Sequence, residues 1–261
     1  MSESVRGCNC LFRAASVLGA AAVFVVVCAG PGTAAEPKSG AGKVTLLGDD
    51  LSGFRGDTGE WQVVGEVKLD PDNPTRFVTT PGKGVAVNGP AGRTKHLFSR
   101  HEHGDVEAHI EFVVPKHSNS GVYFQGRYEI QILDSWGLPA DHPLKHGDCG
   151  GIYQRWDPKR KPPGFEGHAP RHNFSRPAGQ WQTFDVIFRA PRFDTSGKKI
   201  ANARFVEVLH NGRLIHEDVE VTGPTRAAAF RDEKPTGPLM FQGDHGPVAY
   251  RNVWLRALPT E

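Results

Sequence analysis

The fold is decided by the stretch Asn119-Ser-Gly-Val-Tyr-Phe-Gln-Gly-Arg-Tyr-Glu-Ile-Gln-Ile-Leu-Asp-Ser135. On either side of Gly126, apolar and polar side chains alternate with a period of two, which is typical of a strand that buries one face. Gly126 lies between the two runs, where a tight connection fits, so the stretch predicts a β-hairpin. The face predicted to be buried carries Val122, Phe124, Tyr128, Ile130 and Ile132.

The opposite face of this hairpin gathers polar groups of several kinds. An aromatic ring, a guanidinium, a carboxylate and two carboxamides lie on it together, which a merely solvated sheet face does not require. A surface that binds a polyol does require such a set, so we predict a carbohydrate site on this wet, concave face. Its residues are Tyr123, Gln125, Arg127, Glu129 and Gln131.

Short alternating runs recur along the rest of the chain, and no long helical pattern accompanies them. The turn signal His210-Asn-Gly212 separates two of the runs, and the chain holds 20 prolines and 31 glycines. Many short strands with such punctuation predict an all-β jelly-roll sandwich of two antiparallel sheets. The runs cover residues 106–112, 184–188, 205–209, 214–221 and 248–255.

Residues 134–180 break this pattern because they are long, irregular and rich in Pro, Gly, His and Arg. Loops of this length in a compact domain are usually functional or disordered. Trp136, Tyr153 and Trp156 lie in the segment, and such aromatic residues are scarce in disordered linkers. We therefore predict an ordered excursion that forms the rim of the site.

The amino-terminal residues have the pattern of a signal peptide. Arg6 and Arg13 precede an apolar run over about residues 14–29, and small residues follow as far as Ala35. The pattern predicts a signal peptide over 1–35, a linker over 36–43 and one β-sandwich domain over 44–261. The apolar run is short for a membrane span, so no transmembrane segment is expected after cleavage.

We therefore expect an exported protein, periplasmic or secreted. Cys28 leaves a lipid anchor open as an alternative, although the three valines before it lack the small residue that such a site uses. Three of the four cysteines lie in the predicted signal peptide, and the mature chain keeps only Cys149, which excludes an internal disulfide. The formal charge of +2 is spread without a basic stripe, so nucleic acid is not an expected partner.

Several motifs together resemble the 3-keto-disaccharide hydrolase domain family, long known as a domain of unknown function. The hairpin supplies Asn119-Ser-Gly-Val-Tyr123 and Tyr128-Glu-Ile-Gln-Ile-Leu-Asp134, and Gly150-Gly-Ile-Tyr153 follows. Tyr250 is a departure, because phenylalanine is usual there. The resemblance spans roughly residues 44–258. Further matching stretches are Leu51-Ser-Gly-Phe54, Gly179-Gln-Trp-Gln182, His210-Asn-Gly212, Gln242-Gly-Asp-His-Gly246 and Tyr250-Arg-Asn252.

This resemblance implies the architecture of concanavalin A-like lectins and glucanases, and action on glycosides whose C3 hydroxyl has been oxidised to a ketone. Such a ketone makes the C2 proton acidic, so a base can remove it and the C1 oxygen can leave by β-elimination. Water can then add back, which gives net hydrolysis. The implied partner in the pathway is an oxidoreductase that makes the ketone.

We expect Glu129 to be the base, and Arg127 to hold the sugar or the enolate. Asp134 is a second catalytic candidate, although alternation places it on the face opposite Glu129 unless a β-bulge near Leu133 turns it round. Two carboxylates would permit ordinary retaining hydrolysis. Alternatively, Asp134 caps the turn before Ser135, and Glu129 is a solvated strand residue or a partner of Arg127.

Five side chains are predicted to bind the sugar. For Tyr123 and Trp156 the alternative is a place in the core. A divalent metal also stays open, because two histidines and an aspartate near the start of the excursion are ligand types that suit one, although their spacing is no standard signature. The predicted sugar-binding residues are Tyr123, Gln125, Gln131, Tyr153 and Trp156. The candidate metal ligands are His142, His146 and Asp148.

A carbohydrate-binding module without catalytic activity is the alternative function, and a scaffold or cell-surface interaction domain is another. A carboxylate with a raised pKa inside the cleft would favour an enzyme over the module, since a lectin face needs none. Fold alone does not choose among these functions.

Overall fold

The computed structural model describes residues 42–260. Within that range the chain forms strands and loops but no helix, and therefore no helix long and apolar enough to cross a membrane. The predicted signal peptide over 1–35 and residues 36–41 of the predicted linker lie outside the described residues. Cys149 is a free, buried thiol.

Seventeen strands can be traced in the described part of the chain. In chain order they are β1 (Val44–Thr45), β2 (Phe54–Arg55), β3 (Gln62–Leu69), β4 (Phe77–Val87), β5 (Leu97–His103), β6 (Val106–Val113), β7 (Asn119–Phe124), β8 (Tyr128–Leu133), β9 (Arg155–Trp156), β10 (Gly164–Phe165), β11 (Gln182–Arg189), β12 (Arg192–Phe193), β13 (Lys199–Ala201), β14 (Ala203–His210), β15 (Arg213–Val221), β16 (Gly237–Phe241) and β17 (Ala249–Ala257).

Most of these strands belong to two antiparallel sheets. The larger sheet has the order β15-β14-β11-β6-β17-β4-β3, with β1 beside β17, and the smaller has the order β2-β5-β16-β7-β8. The pairs β9–β10 and β12–β13 stand apart as two-stranded sheets. The alternating runs of the sequence became β6, β11, β14, β15 and β17. The all-β jelly-roll prediction is therefore confirmed.

The decisive stretch folds as the predicted hairpin. Its strands β7 and β8 pair without a register shift from Asn119 opposite Leu133 to Phe124 opposite Tyr128. The connection between them places Gln125 at φ 55° and Gly126 at φ 65°. Both values are left-handed, a conformation that glycine adopts at little cost and that tight hairpin turns require.

The apolar face of the hairpin packs between the two sheets. The ring of Phe124 lies 5.1 Å from that of Phe188 on β11 and 5.4 Å from that of Phe205 on β14. Tyr128 approaches Phe188 at 5.6 Å, and these side chains are fully buried. Aromatic contacts of this kind add to the stabilisation from burial itself. The hairpin therefore joins the smaller sheet to the larger one through its core side.

The excursion over 134–180 is ordered, as predicted, and its middle pairs with the free edge of β8. Gly150 and Gly151 exchange backbone hydrogen bonds of 2.8 Å with Gln131, and the Tyr153 amide donates to the Glu129 carbonyl at 3.1 Å. Ile152 bridges to Ile130 on one side and to His168 on the other. The excursion thus continues the smaller sheet beyond its last strand and brings Tyr153 next to the hairpin.

Candidate active site

A cavity of about 270 Å³ lies on the side of the hairpin that faces away from the core. Its walls come from β7, β8, the excursion, the β15–β16 connection over residues 222–236, and the segment that follows β16. The lining residues are Asn119, Tyr123, Glu129, Gln131, Tyr153, Arg226, Ala227, Gln242 and His245. The structure therefore brings together four of the residues predicted from the sequence, namely Tyr123, Glu129, Gln131 and Tyr153.

The polar face of the hairpin is buried, whereas the sequence pattern predicted a solvated face. Tyr123, Glu129 and Gln131 expose only 1%, 3% and 4% of their surface. The correction has a structural cause, because three separate connections build walls over this part of the sheet. Alternation in a strand reports which side chains share a face, but it does not report what covers that face.

The surroundings of Glu129 disfavour the charged form of its carboxyl group. Burial removes water from its charged form and raises the pKa of the carboxyl to about 8; a hydrogen bond with the Tyr123 hydroxyl opposes this shift, and the charge of Asp244 adds to it. The pKa of Tyr123 is also raised, mainly by burial and then by Glu129. At neutral pH the Glu129 carboxyl is therefore mostly protonated.

Gly121 makes room for the Glu129 side chain. It faces Gln131 across the β7–β8 ladder, on the same side of the sheet as Glu129. A Cβ atom at Gly121 would lie 2.3 Å from Glu129 Oε1, which is closer than such atoms approach, and 3.1 Å from Tyr123 Cε2, which is a tight contact. A side chain at this position would therefore displace the Glu129 carboxyl from the place that it occupies next to Gly121.

Carboxamide groups in the cavity wall have unused hydrogen-bonding capacity. The Gln242 side chain is buried, and its Oε1 has no hydrogen-bond partner within residues 42–260. Gln131 Nε2 reaches Asn119 Oδ1 only at 3.4 Å. Buried polar groups are normally well paired, so an unpaired Gln242 oxygen and a long Gln131 hydrogen bond in one cavity fit a ligand that is rich in hydroxyl groups.

Arg226 brings a cation to the cavity. Its guanidinium lies 4.1 Å from the centroid of the Trp156 ring, and its backbone amide donates to the Gln154 carbonyl at 2.8 Å. The next residue, Ala227, has φ 63°, a strained value for a residue other than glycine. Trp156, which was predicted to bind sugar, does not line the cavity; it contacts the cavity through Arg226.

Arg127 and Gln125 were also predicted to be in the site, but their side chains support its wall instead of lining it. Arg127 donates to the Gln125 carbonyl at 2.8 Å and to Asp232 Oδ1 at 3.2 Å. Gln125 Nε2 donates to the Pro235 carbonyl at 3.0 Å. Both residues belong to the hairpin turn, where the alternation of the ladder ends, and both hold the 222–236 connection.

Asp134 lies away from the cavity as well. The β7–β8 ladder has no bulge at Leu133, so Asp134 stays on the face opposite Glu129. Its Oδ2 accepts the His117 amide at 3.0 Å, as in the alternative role of a turn cap. A catalytic role for Asp134 stays a prediction that its position does not favour.

The three candidate metal ligands do not converge. His142 Nε2 approaches Asp148 Oδ2 at 3.3 Å, but the His146 ring packs against Tyr153 at 5.1 Å. In the part of the chain that the structure describes, no group of three or more His, Cys, Asp or Glu side chains could hold a metal ion.

The sequence pattern did not identify Asn119, Arg226, Gln242 or His245 as site residues. Asn119 was noted only as the start of the hairpin, and Gln242 and His245 only as part of a matching stretch. Arg226 lies in a connection without periodicity, so no pattern marks it. His245 has one notable partner, since its Nδ1 lies 2.5 Å from Asp244 Oδ1.

Comparison with known proteins gives one family and a set of related structures. The model of a family described as a 3-keto-alpha-glucoside-1,2-lyase-like domain matches residues 42–256. No protein with a curated description matches the chain. A crystal structure from Parabacteroides distasonis ATCC 8503, provisionally named a glycosyl hydrolase, is 27% identical, with a TM-score of 0.57 over 83% of this chain and 84% of that chain.

Two further structures from the same organism, also provisionally named glycosyl hydrolases, share the fold. One is 16% identical with a TM-score of 0.53, over 84% of this chain and 100% of that chain. The other is 15% identical with a TM-score of 0.51, over 84% of this chain and 95% of that chain. At these identities the likeness supports the architecture only.

Replacing Glu129 with glutamine should stabilise the protein increasingly as the pH rises. The folded-state pKa of about 8 exceeds the ordinary value of 4.5, so the folded protein retains a proton that the unfolded chain loses. Each unit of this difference costs the folded state about 1.4 kcal/mol once the pH has risen through that window. Thermal unfolding of Glu129→Gln and wild type should nearly coincide at about pH 5 and separate, with the variant higher, at about pH 9.

The matched control is Glu66→Gln, since Glu66 has the same chemistry but its side chain is 51% exposed beside Lys68. This control should show no comparable separation. An equal difference between Glu129→Gln and wild type at both pH values would contradict a raised pKa for Glu129.

Proposed function

The chain belongs to the 3-keto-alpha-glucoside-1,2-lyase-like domain family, and from this premise we propose that it cleaves 3-keto-glycosides by elimination across C1 and C2. One observation carries the proposal: among the residues of 42–260 that line the cavity, Glu129 is the only carboxylate. Ordinary glycoside hydrolysis uses two carboxyl groups that flank the bond. Elimination from a keto sugar needs only one base to remove the C2 proton, and the single carboxylate in the cavity lining can supply it.

The first step is removal of the C2 proton by the ionised form of Glu129. The C3 ketone makes this proton acidic because the electron pair left behind spreads onto the ketone oxygen. A carboxylate with a pKa of about 8 is a stronger base than an ordinary one, and a base tuned toward the working pH transfers protons well. Burial thus gives Glu129 the basicity that the reaction requires.

The developing charge on the ketone oxygen needs hydrogen-bond donors. Gln131, Gln242 and Arg226 line the same cavity and supply carboxamide and guanidinium N–H groups. Donors held in place in a site with little water stabilise such an oxyanion strongly. When the enolate collapses, the C1–oxygen bond breaks, and later addition of water gives net hydrolysis.

The substrate has to be supplied by an oxidoreductase that converts the C3 hydroxyl of a glycoside into a ketone. We include this oxidoreductase in the proposal. We also propose that the protein is exported, because residues 1–35 have the pattern of a signal peptide. A non-catalytic carbohydrate-binding module is the competing function. The raised pKa of the Glu129 carboxyl favours the enzyme, because a binding face has no use for such a group.

The purified mature protein should release nitrophenol from nitrophenyl 3-keto-α-glucoside and not from the unoxidised parent. Glu129→Gln should lower kcat/KM by about 10²–10⁴-fold, since the amide cannot accept the C2 proton. Glu66→Gln should retain the wild-type rate. Full activity of Glu129→Gln would exclude Glu129 as the base. Binding of a glycan without release from either substrate would favour the binding module.

The pH profile of the wild type should follow the ionisation of Glu129. Because the base must be charged, kcat/KM should rise with pH and level off above about 8, the pKa of the carboxyl in the free enzyme. Stopped assays on nitrophenyl 3-keto-α-glucoside, whose phenolate departs without a proton donor, measure the profile across that range. A rise centred near the ordinary carboxyl pKa of 4.5 would show that Glu129 is not the titrating base.

A further inference from the structure

A second, larger space is lined in part by the same segment after β16 that contributes to the cavity. It is an open groove of about 860 Å³, and Asp244 is one of its lining residues. The next residue in the chain, His245, lines the cavity that contains Glu129. His245 Nδ1 and Asp244 Oδ1 are 2.5 Å apart, so this contacting pair contributes one residue to each space.

The groove and the cavity occupy the same face of the smaller sheet. Met240 on β16 pairs with Phe98 on one side and with Tyr123 on the other, and Tyr123 pairs with Glu129. Directly paired residues point to the same face, so Phe98 in the groove and Glu129 in the cavity end a single row. With three strand spacings between them, their backbones are about 15 Å apart.

The reaction proposed above leaves one role without a residue. In an α-glucoside the C2 hydrogen and the C1 oxygen lie on opposite faces of the sugar ring. A carboxyl group that takes the C2 proton from one face cannot return it to the oxygen that departs on the other. A leaving group that departs poorly as an anion therefore needs a second proton-carrying group, and among the described residues that line the cavity Glu129 is the only carboxylate.

We propose that His245, held by Asp244, donates the proton to the departing oxygen, and that the groove receives the leaving group. This inference rests on the proposed function. The Asp244 carboxylate accepts the Nδ1–H of the imidazolium, which orients the ring and leaves Nε2–H as the proton to be transferred. His245 is then a catalytic residue and Asp244 a positioning residue.

The proposed elimination conserves protons and electrons, so it needs no oxidant. Glu129 takes the C2 proton, and the electron pair of that bond forms the C1–C2 double bond by way of the enolate. The C1–oxygen bond breaks, and its electron pair takes the proton of His245 Nε2. The products are an unsaturated 3-keto sugar and an alcohol or sugar.

The sizes of the two spaces agree with a keto-sugar ring in the cavity and a leaving group in the groove. At about 270 Å³, the cavity falls below the roughly 300–1,000 Å³ of common ligand pockets, so it suits the keto-sugar ring alone. The groove offers the half-buried ring of Phe98, with His96 at 6.5 Å. Rings of this kind pack against apolar faces, which both a second sugar and an aromatic leaving group present.

The test compares leaving groups in one set of variants. His245→Ala should lower kcat/KM about 10²–10⁴-fold for methyl 3-keto-α-glucoside, whose alkoxide leaves poorly without a proton. The same variant should change the rate on the nitrophenyl substrate only a few-fold, because nitrophenolate leaves unaided. Asp244→Asn should give a smaller loss with the same selectivity, and added imidazole should restore part of the methyl reaction in His245→Ala.

The matched control is His101→Ala, because His101 is an exposed histidine on β5 that lines neither space. Its rates should equal those of wild type on both substrates. Equal losses on both substrates in His245→Ala would overturn the proposal, as would a methyl-selective loss that appears in Tyr153→Phe instead. A wild-type protein that cleaves no keto substrate would overturn the proposed function and this inference together. An active wild type whose His245→Ala variant is unimpaired would overturn the inference alone.

Discussion

The burial of the Glu129 carboxyl on the outer side of a sheet is the constraint on which the rest of the structure depends. A carboxyl in that position loses its hydration, and the pKa of about 8 reflects that loss. Gly121 leaves room for it where a Cβ atom would collide with Glu129 Oε1, and three connections meet above it. Each of these features would be unnecessary if the hairpin merely presented polar residues to solvent.

The hairpin can accommodate a desolvated carboxyl on one face because its other face is packed into the core. Phe124 and Tyr128 lie among Phe188 and Phe205 of the larger sheet, at ring distances between 5.1 and 5.6 Å. Burial of such side chains stabilises by about 1.5–3 kcal/mol each. Stability gained on one face thus offsets the cost of a desolvated acid on the other, a common relation between stability and activity.

The hairpin and the common face of its site residues were predictable from the sequence, because both follow from the spacing of apolar residues. The period of two around Gly126 specified the hairpin, its core face, and the common face of Tyr123, Glu129 and Gln131. Burial of that face was not predictable, since it depends on connections that carry no periodic signal. For the same reason Arg226 and His245 went unnoticed. The sequence pattern also placed Arg127 and Gln125 in the site, because alternation was extended into a turn where the ladder has already ended.

The most direct test follows the fate of the C2 hydrogen, because removal of that hydrogen separates elimination from ordinary hydrolysis. A 3-keto-α-glucoside labelled with deuterium at C2 would be treated in ordinary water with the wild-type protein. Label would then be measured in the sugar product and in unreacted substrate. Complete loss of label from the product, with retention in the unreacted substrate, is the result expected if Glu129 removes the C2 proton. Retention of the label in the product would contradict elimination and, with it, the role of Glu129.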